Sequence, residues 1–433
     1  MVYQEIKGDI MKIRDRFNNV LLSTNALVGD YLFKCNNRKN VTDFSRDRKM
    51  GFKETVFFML NMVKKSLQIE LNNFFETVLN KDNSVTKQAY SEARQKIEPK
   101  VFIELNDKAN EIVYEGSYEY KLWKDYRLTA IDGSVIELPN TETLRKEFGY
   151  IENQNNKVAR ARASCIYDVL NKIVIKSKID IYKASERDIA KELILQMLQD
   201  GNQSELILFD RGYPGAAFFS FLIKNGVNFV MRAKVSFSNA IKNAKKPDQI
   251  IEIKNGKDTC RVRVLRFTLP SGIEEVLITS LYNGKYTIED FKELYFKRWG
   301  IEIKFDELKN RLEIENFTGT TKIAIEQDFY ASIYLSNMIE LAKQESDEII
   351  KENNKEKDLK HEYKINLNMF VGSLKDKLIL MMLEKNNRKR NKMYKHIMEQ
   401  ASRNAIPIRL GRHNPRKNHY SRGKYNANHK RPV

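Results

Sequence analysis

The five residues Glu205 to Phe209 (ELILF) restrict the fold of this chain more than any other stretch. The run is too short for a helix and too apolar for a strand with one wet face. It therefore reads as a central strand buried on both sides. Upstream, YRLTAI leads into Asp132-Gly133-Ser134, and RARASCIYD and KIVIKSKIDIY form two β-rich runs joined by a short turn at Asn171. The helical pattern ASERDIAKELILQMLQ follows, with Ser185 placed to cap it. After the central strand come Asp210-Arg211-Gly212-Tyr213, a short helix and the strand NFVMRA.

Three strands in a meander, then helix, strand, helix and strand, is the order of a ribonuclease-H-like α/β fold. Residues 234–286 interrupt that order with three alternating strand patterns, around Gln249–Ile253, Cys260–Phe267 and Glu275–Ser280. Asn255-Gly256 and Ser271-Gly272 supply their turns. The expectation is a catalytic domain over residues 116–400 that carries an inserted β subdomain. Residues 1–115 read as an all-helical N-terminal domain, and residues 401–433 as a basic tail without a core. Within the first domain, Ser84 to Ile97 has an N-cap serine and a polar-basic helix, like the second helix of a helix-turn-helix unit. Lys87, Arg94 and Lys96 would then be its DNA contacts.

Charge limits the partners. The chain has 76 Lys and Arg against 57 Asp and Glu, a net charge of +19, which favours a polyanion such as nucleic acid. No run of about 18 apolar residues occurs, and the first ten residues lack a signal-peptide core. A cytoplasmic protein with no membrane partner and no small-molecule substrate is expected. Three scattered cysteines favour neither a disulfide framework nor a zinc cluster. All five histidines lie at or beyond His361, so chemistry in the preceding residues must work through carboxylates or metal.

Candidate carboxylates follow from the strand pattern. Asp132 is expected at the end of the first core strand and Asp210 ends ELILF, so parallel pairing would make them neighbours at one sheet edge. Each also has an ordinary reading, as a turn or a helix cap. A third acid comes from Thr287–Leu312, which reads as one helix opened by a Thr287/Asp290 capping box. Phe291, Leu294, Ile301, Phe305, Leu308 and Leu312 form its apolar stripe, and Tyr295, Arg298, Glu302 and Lys309 fall within about a 60° arc beside it. An ordinary i,i+4 ion pair accounts equally well for Arg298 and Glu302. Three oxygen ligands without His or Cys suit Mg2+ or Mn2+, and a pair of such ions serves phosphodiester chemistry.

These motifs resemble those of bacterial insertion-sequence transposases of the insertion-sequence-four family. Tyr295-x2-Arg298-x3-Glu302-x6-Lys309 looks like that family's YREK signature, with Trp299 inside it and Glu315-Asn316-Phe317-Thr318-Gly319 trailing it. Asp132-Gly133-Ser134 with Leu138-Pro139, and Phe209-Asp210-Arg211-Gly212-Tyr213, look like its first and second motifs. The similarity covers roughly residues 125–375. It implies a DDE transposase whose metal ligands are Asp132, Asp210 and Glu302, using two Mg2+ or Mn2+ ions. It further implies Tyr295, Arg298 and Lys309 as contacts to phosphates near the transposon end. Arg211, Lys87, Arg94, Arg261 and Arg263 are further expected DNA contacts, the last two on a basic β insertion that also holds Lys257 and Arg266.

Double-stranded DNA, both element ends and target, is the implied partner, and two ends require at least two protomers. Some relatives hold a flipped base on a Trp within the insertion; here the only Trp residues, Trp123 and Trp299, lie outside it. Phe267 or Tyr282 are candidate substitutes, and Trp299 is expected in the core. Asp168, Asp180 and Asp306 compete as acids. Two alternatives stay open: a ribonuclease-H-fold nuclease without strand transfer, and a DNA-binding derivative that is no longer catalytic.

Overall fold

A computed structural model describes residues 13–62, 66–114, 119–154, 156–201, 204–256, 258–269, 272–375 and 377–409. Helices α1 (Ile13–Gly29), α2 (Tyr31–Asn37), α3 (Phe52–Met59), α4 (Leu67–Asn73), α5 (Lys87–Arg94) and α6 (Lys100–Tyr114) come first. Strand β1 (Arg127–Glu137), α7 (Glu142–Phe148), β2 (Tyr150–Asn153), β3 (Asn156–Asp168), β4 (Ile173–Ile181) and α8 (Glu186–Gln199) follow. Next are β5 (Glu205–Phe209), α9 (Ala216–Lys224), β6 (Asn228–Ala233), α10 (Asn239–Asn243), β7 (Asp248–Asn255), β8 (Asp258–Thr268) and β9 (Glu274–Thr279). The chain continues through α11 (Ile288–Phe296), α12 (Trp299–Asn310), α13 (Lys322–Asn354), β10 (Tyr363–Lys364), α14 (Leu367–Leu374), α15 (Lys377–Leu383), α16 (Asn387–Arg403) and β11 (Ile406–Pro407).

Two compact units result. One comprises residues 1–119, 136–161 and 308–433, the other residues 120–135 and 162–307. This division departs from the boundaries expected at 115 and 400. The N-terminal helices do not close a core alone. Phe17, Leu21, Leu105 and Ala109 of α1 and α6 are buried together with Tyr334, Met338 and Leu341 of α13. Thr24 Oγ1 lies 2.6 Å from Tyr334 Oη, and Asn337 Nδ2 donates to Asn106 Oδ1 at 2.8 Å. Short helices such as α2 and α3 bury too little area separately, so they pack on longer partners, α2 on α1 and α3 on α1 and the 33-residue α13. The expected tail also starts later than residue 401, because α16 runs to Arg403 and β11 pairs with β10. Residues 410–433 lie outside the described residues, as does Lys257.

The helix expected to read DNA is capped by Thr86, whose Oγ1 accepts from Ala89 N, and not by Ser84. Its Arg94 is spent internally. The guanidinium is 2% exposed, pairs with Asp328 at 2.8 Å, and donates to Gln327 Oε1 at 2.9 Å and Thr318 Oγ1 at 2.6 Å. The expected DNA contact by Arg94 is therefore corrected, because a cation held by a buried carboxylate is not offered to solvent; Lys87 on the same helix is exposed. The trailing motif finds its use here. Thr318 braces both Arg94 and Asp328, and a Cβ on Gly319 would stand 2.6 Å from Ala324 Cβ. Gly319→Ala should cost about 1–3 kcal/mol through forced repacking, read as a lower urea midpoint.

In the other unit the sheet runs β3-β1-β5-β6-β9-β8-β7, with β4 also on β3, while β2 forms a hairpin with the first residues of β3. Strands β1, β5 and β6 are mutually parallel, and β5 is buried at every position, as its composition requires. Residues 248–279 are not a separate subdomain. Strand β9 pairs antiparallel with β6, Val230 opposite Thr279, and β8 and β7 extend the same sheet. Five of the six β9 residues are buried, so the strand covers what would otherwise be an apolar sheet edge. Arg263 is consumed there too: it pairs with Asp248 at 2.5 Å and donates to the carbonyls of Leu281 and Asn283. Arg266 pairs with Glu274 at 2.7 Å. The expected DNA contact by Arg263 is corrected for the same reason as Arg94. Arg261 remains exposed, its guanidinium 5.8 Å from the Tyr282 ring centroid.

Candidate active site

Strand pairing brings the first two acids together. Ile131 stands opposite Phe209 in the parallel β1–β5 register, so the next residues, Asp132 and Asp210, are neighbours across two adjacent strands. Asp132 is not at the end of its strand as expected; β1 continues to Glu137. Its pairing with β5 and its continuous buried run both end at Ile131, and Asp132 to Val135 are half-exposed. Asp210 directly follows β5. Both carboxylates thus sit where the apolar strands leave the core.

The signature stretch is two helices and not one. Thr287 and Asp290 form the expected capping box at the start of α11. At the joint, Arg298 N bonds to Tyr295 O at 3.0 Å and Gly300 N to Lys297 O at 2.9 Å, so the last turn tightens before α12 begins. Gly300, a weak helix former, occupies this joint, where an added Cβ would lie 3.6 Å from Val169 Cβ. The break re-phases Glu302 relative to Tyr295, which uniform helical spacing does not anticipate.

Tyr295 anchors α11 to the sheet. Its buried hydroxyl donates to Phe209 O at 3.2 Å, the carbonyl just before Asp210. Tyr295→Phe should lower thermal stability by about 1 kcal/mol, the worth of one neutral hydrogen bond. Arg298, only 4% exposed, pairs with Glu302 at 2.9 Å and lies over the Tyr295 and Trp299 rings. Burial works against its charge, but Tyr295, Glu302 and Asp210 outweigh that and raise its pKa. The ordinary i,i+4 pair is therefore present, and it faces the other acids. Tyr295 and Arg298, expected on the rim of a buried face, are almost fully buried and position neighbouring groups. Lys309 is half-buried and 3.8 Å from Glu315. Arg211 is exposed beside Asp210. Trp299, expected in the core, is 45% exposed.

The acids act on one another. Burial first, and then the charges of Asp210 and Glu302, push Asp132 up to about 6, although the Gly133 N–H and Arg298 pull the other way. Its folded carboxyl thus holds a proton more tightly than the unfolded one, near 3.9. Stability in metal-free buffer should therefore fall as pH rises from about 4 to about 6. Asp132→Asn, which cannot ionise, should flatten that slope in urea midpoints measured across the window.

Several neighbours carried no sequence signal as site residues. Ser164 Oγ donates to Asp132 O at 3.0 Å. Arg162 pairs with Glu186, whose Oε1 would lie 3.4 Å from a Cβ on Gly133. Tyr213 is buried with no hydrogen-bond partner for its hydroxyl, and burial together with Asp132, Glu186 and Asp210 raises its pKa well above the usual range. Only its place in the Asp-Arg-Gly-Tyr motif marked it. Two of the competing acids, Asp168 and Asp180, have structural roles. Asp168 is buried and accepts from Asn171 N at 2.9 Å and Leu170 N at 3.0 Å, and Asp180 pairs with Lys178 at 3.0 Å.

The donor set fits a divalent cation in kind: carboxylate oxygens that repel one another, with the unpartnered buried hydroxyl of Tyr213 nearby. In arrangement it is not assembled. Glu302 is turned onto Arg298, and among the described residues no three His, Cys, Asp or Glu are grouped so as to hold a metal ion.

Residues 123–338, which include Asp132, Asp210 and Glu302, match the family model of the transposase DDE domain. The chain carries a domain of that class. Among solved structures it is similar to a piggyBac transposase synaptic complex with hairpin DNA, determined by cryo-EM. That match has 11% identity and a TM-score of 0.42, over 87% of this chain and 85% of that one. No curated protein matches the chain. Among the described residues, no helix is long and apolar enough to cross a membrane.

Proposed function

We propose that the protein is a DNA transposase of the insertion-sequence-four type, working by cut-and-paste. It binds the terminal inverted repeats of its element, cleaves at the 3′ ends and joins them to target DNA as a homodimer or larger assembly. The observation that carries this reading is the placement of Asp132 and Asp210 side by side, each one residue beyond the Ile131–Phe209 pair of two parallel strands, within the segment that matches the transposase DDE domain.

Asp132, Asp210 and Glu302 would hold Mg2+ or Mn2+, and the metal would supply activation of a water or 3′-hydroxyl and stabilisation of the leaving oxygen. The chain's own part is to aim and balance these ligands. Tyr295 ties α11 to the strand end beside Asp210, and Arg298 offsets the negative charge of Glu302 and Asp210. Arg211, Lys309, Lys87 and Arg261 are half-buried or exposed cations suited to phosphates.

The test is incubation of the protein and Mg2+ with labelled DNA carrying the element's ends and a plasmid target. Joined products are expected. Cleavage without joining would assign the protein as a nuclease instead, and neither reaction would leave a non-catalytic DNA-binding derivative.

A further inference from the structure

Apart from the carboxylates, the first unit holds an open groove of about 380 Å3 between α2, the 38–49 loop and α3. Lys34, Arg46, Arg48, Lys53 and Lys81 line it, together with Tyr31, which is 65% exposed. Three acids also border it, leaving five cations against three anions. Of these, Asp30 is occupied as the cap of α2, accepting from Phe33 N at 2.7 Å. Among the described residues none of the five cations forms an ion pair with a carboxylate. Lys34 lies over the Tyr31 ring at 5.0 Å and Lys53 over the Phe57 ring at 5.5 Å.

The loop presenting Arg46 and Arg48 is built to hold its shape. Lys39 N bonds to Lys96 O at 2.9 Å, Asn40 N to Asp43 Oδ2 at 2.9 Å, and Ser45 Oγ to Thr42 O at 2.7 Å. Phe44 takes a left-handed φ of 55°, an uncommon conformation for a bulky residue, and its ring is pinned edge-on to Phe52 at 5.7 Å. A fixed turn thus carries unneutralised guanidinium groups into the groove. Lys53 is partly buried and, among the described residues, forms no ion pair; burial and then Lys385 lower its pKa, although the neighbouring Glu54 charge opposes the shift. Five cations against three acids leave the groove with a net positive charge that suits an anion.

The geometry points to this groove as a seat for a DNA sugar–phosphate backbone, remote in sequence from every catalytic motif. The partner rests on the transposase reading above. The form of the groove favours an extended polyanion, because its charges are spread on flexible stems along an open channel. A small anion would need donors converging on one buried point.

The experiment uses the full chain and a random-sequence duplex, with binding followed by anisotropy across a salt series. Arg46→Ala/Arg48→Ala should weaken binding to all sequences alike and reduce the salt slope by about 2, one unit per lost phosphate contact. Arg46→Lys/Arg48→Lys should restore the slope. As a second measurement on the unmodified protein, DNA should protect Arg46 and Arg48 from phenylglyoxal modification. An unchanged slope with unprotected arginines, in a protein that still binds and cuts DNA, overturns this inference alone. Failure of the unmodified protein to bind any duplex overturns it together with the transposase reading.

Discussion

Asp132→Asn should abolish DNA cleavage and strand joining, by on the order of 10³-fold or more, while duplex binding stays within a few-fold of the unmodified protein. The substitution keeps the side chain's size and its contact with the Gly133 N–H, and removes one ligand charge from the Asp132–Asp210 pair. Loss of chemistry with intact binding is the signature of a group needed only at the reacting atoms. Metal-free protein should at the same time become more stable near neutral pH, because a buried carboxylate near two others no longer has to ionise. Retained cleavage by a purified, folded variant would remove Asp132 from the site.

The largest effect on stability is expected at Arg94. Its guanidinium holds Asp328, Thr318 and Gln327 together inside the helical unit. Arg94→Ala leaves Asp328 and Thr318 without their shared donor, and truncating one partner of a buried pair costs about 3–5 kcal/mol. Asp328→Ala should cost a similar amount, and the double variant less than the sum, since both remove the same pair. Urea unfolding measures all three. Additive losses would mean that the two residues act independently.

Much of the site is legible in the amino-acid order. The apolar run ending in Asp210, the strand leading to Asp132 and the capping box before Glu302 are local signals, set by periodicity and capping chemistry. The structure reproduces them at Phe209, Ile131 and Thr287/Asp290. What cannot be read there is which cations face solvent. Arg94, Arg263 and Arg298 look identical in sequence to exposed arginines, and each is closed off by a carboxylate brought by another part of the chain or by the turn of its own helix. Conversely, Arg46 and Arg48 give no helical or strand pattern to draw notice, yet they remain open.

By itself, then, the order of residues determined the kinds of element, the acid that ends β5 and the helix start, because these depend on neighbours within one or two turns. The tertiary structure alone decided that β9 completes the same sheet as β6, that the signature breaks at Lys297–Gly300, and that the N-terminal helices borrow α13 as their core. The physical reason is common to all three. Each depends on apolar surface or charge supplied from a distant part of the chain, and no local pattern records which distant surface will arrive.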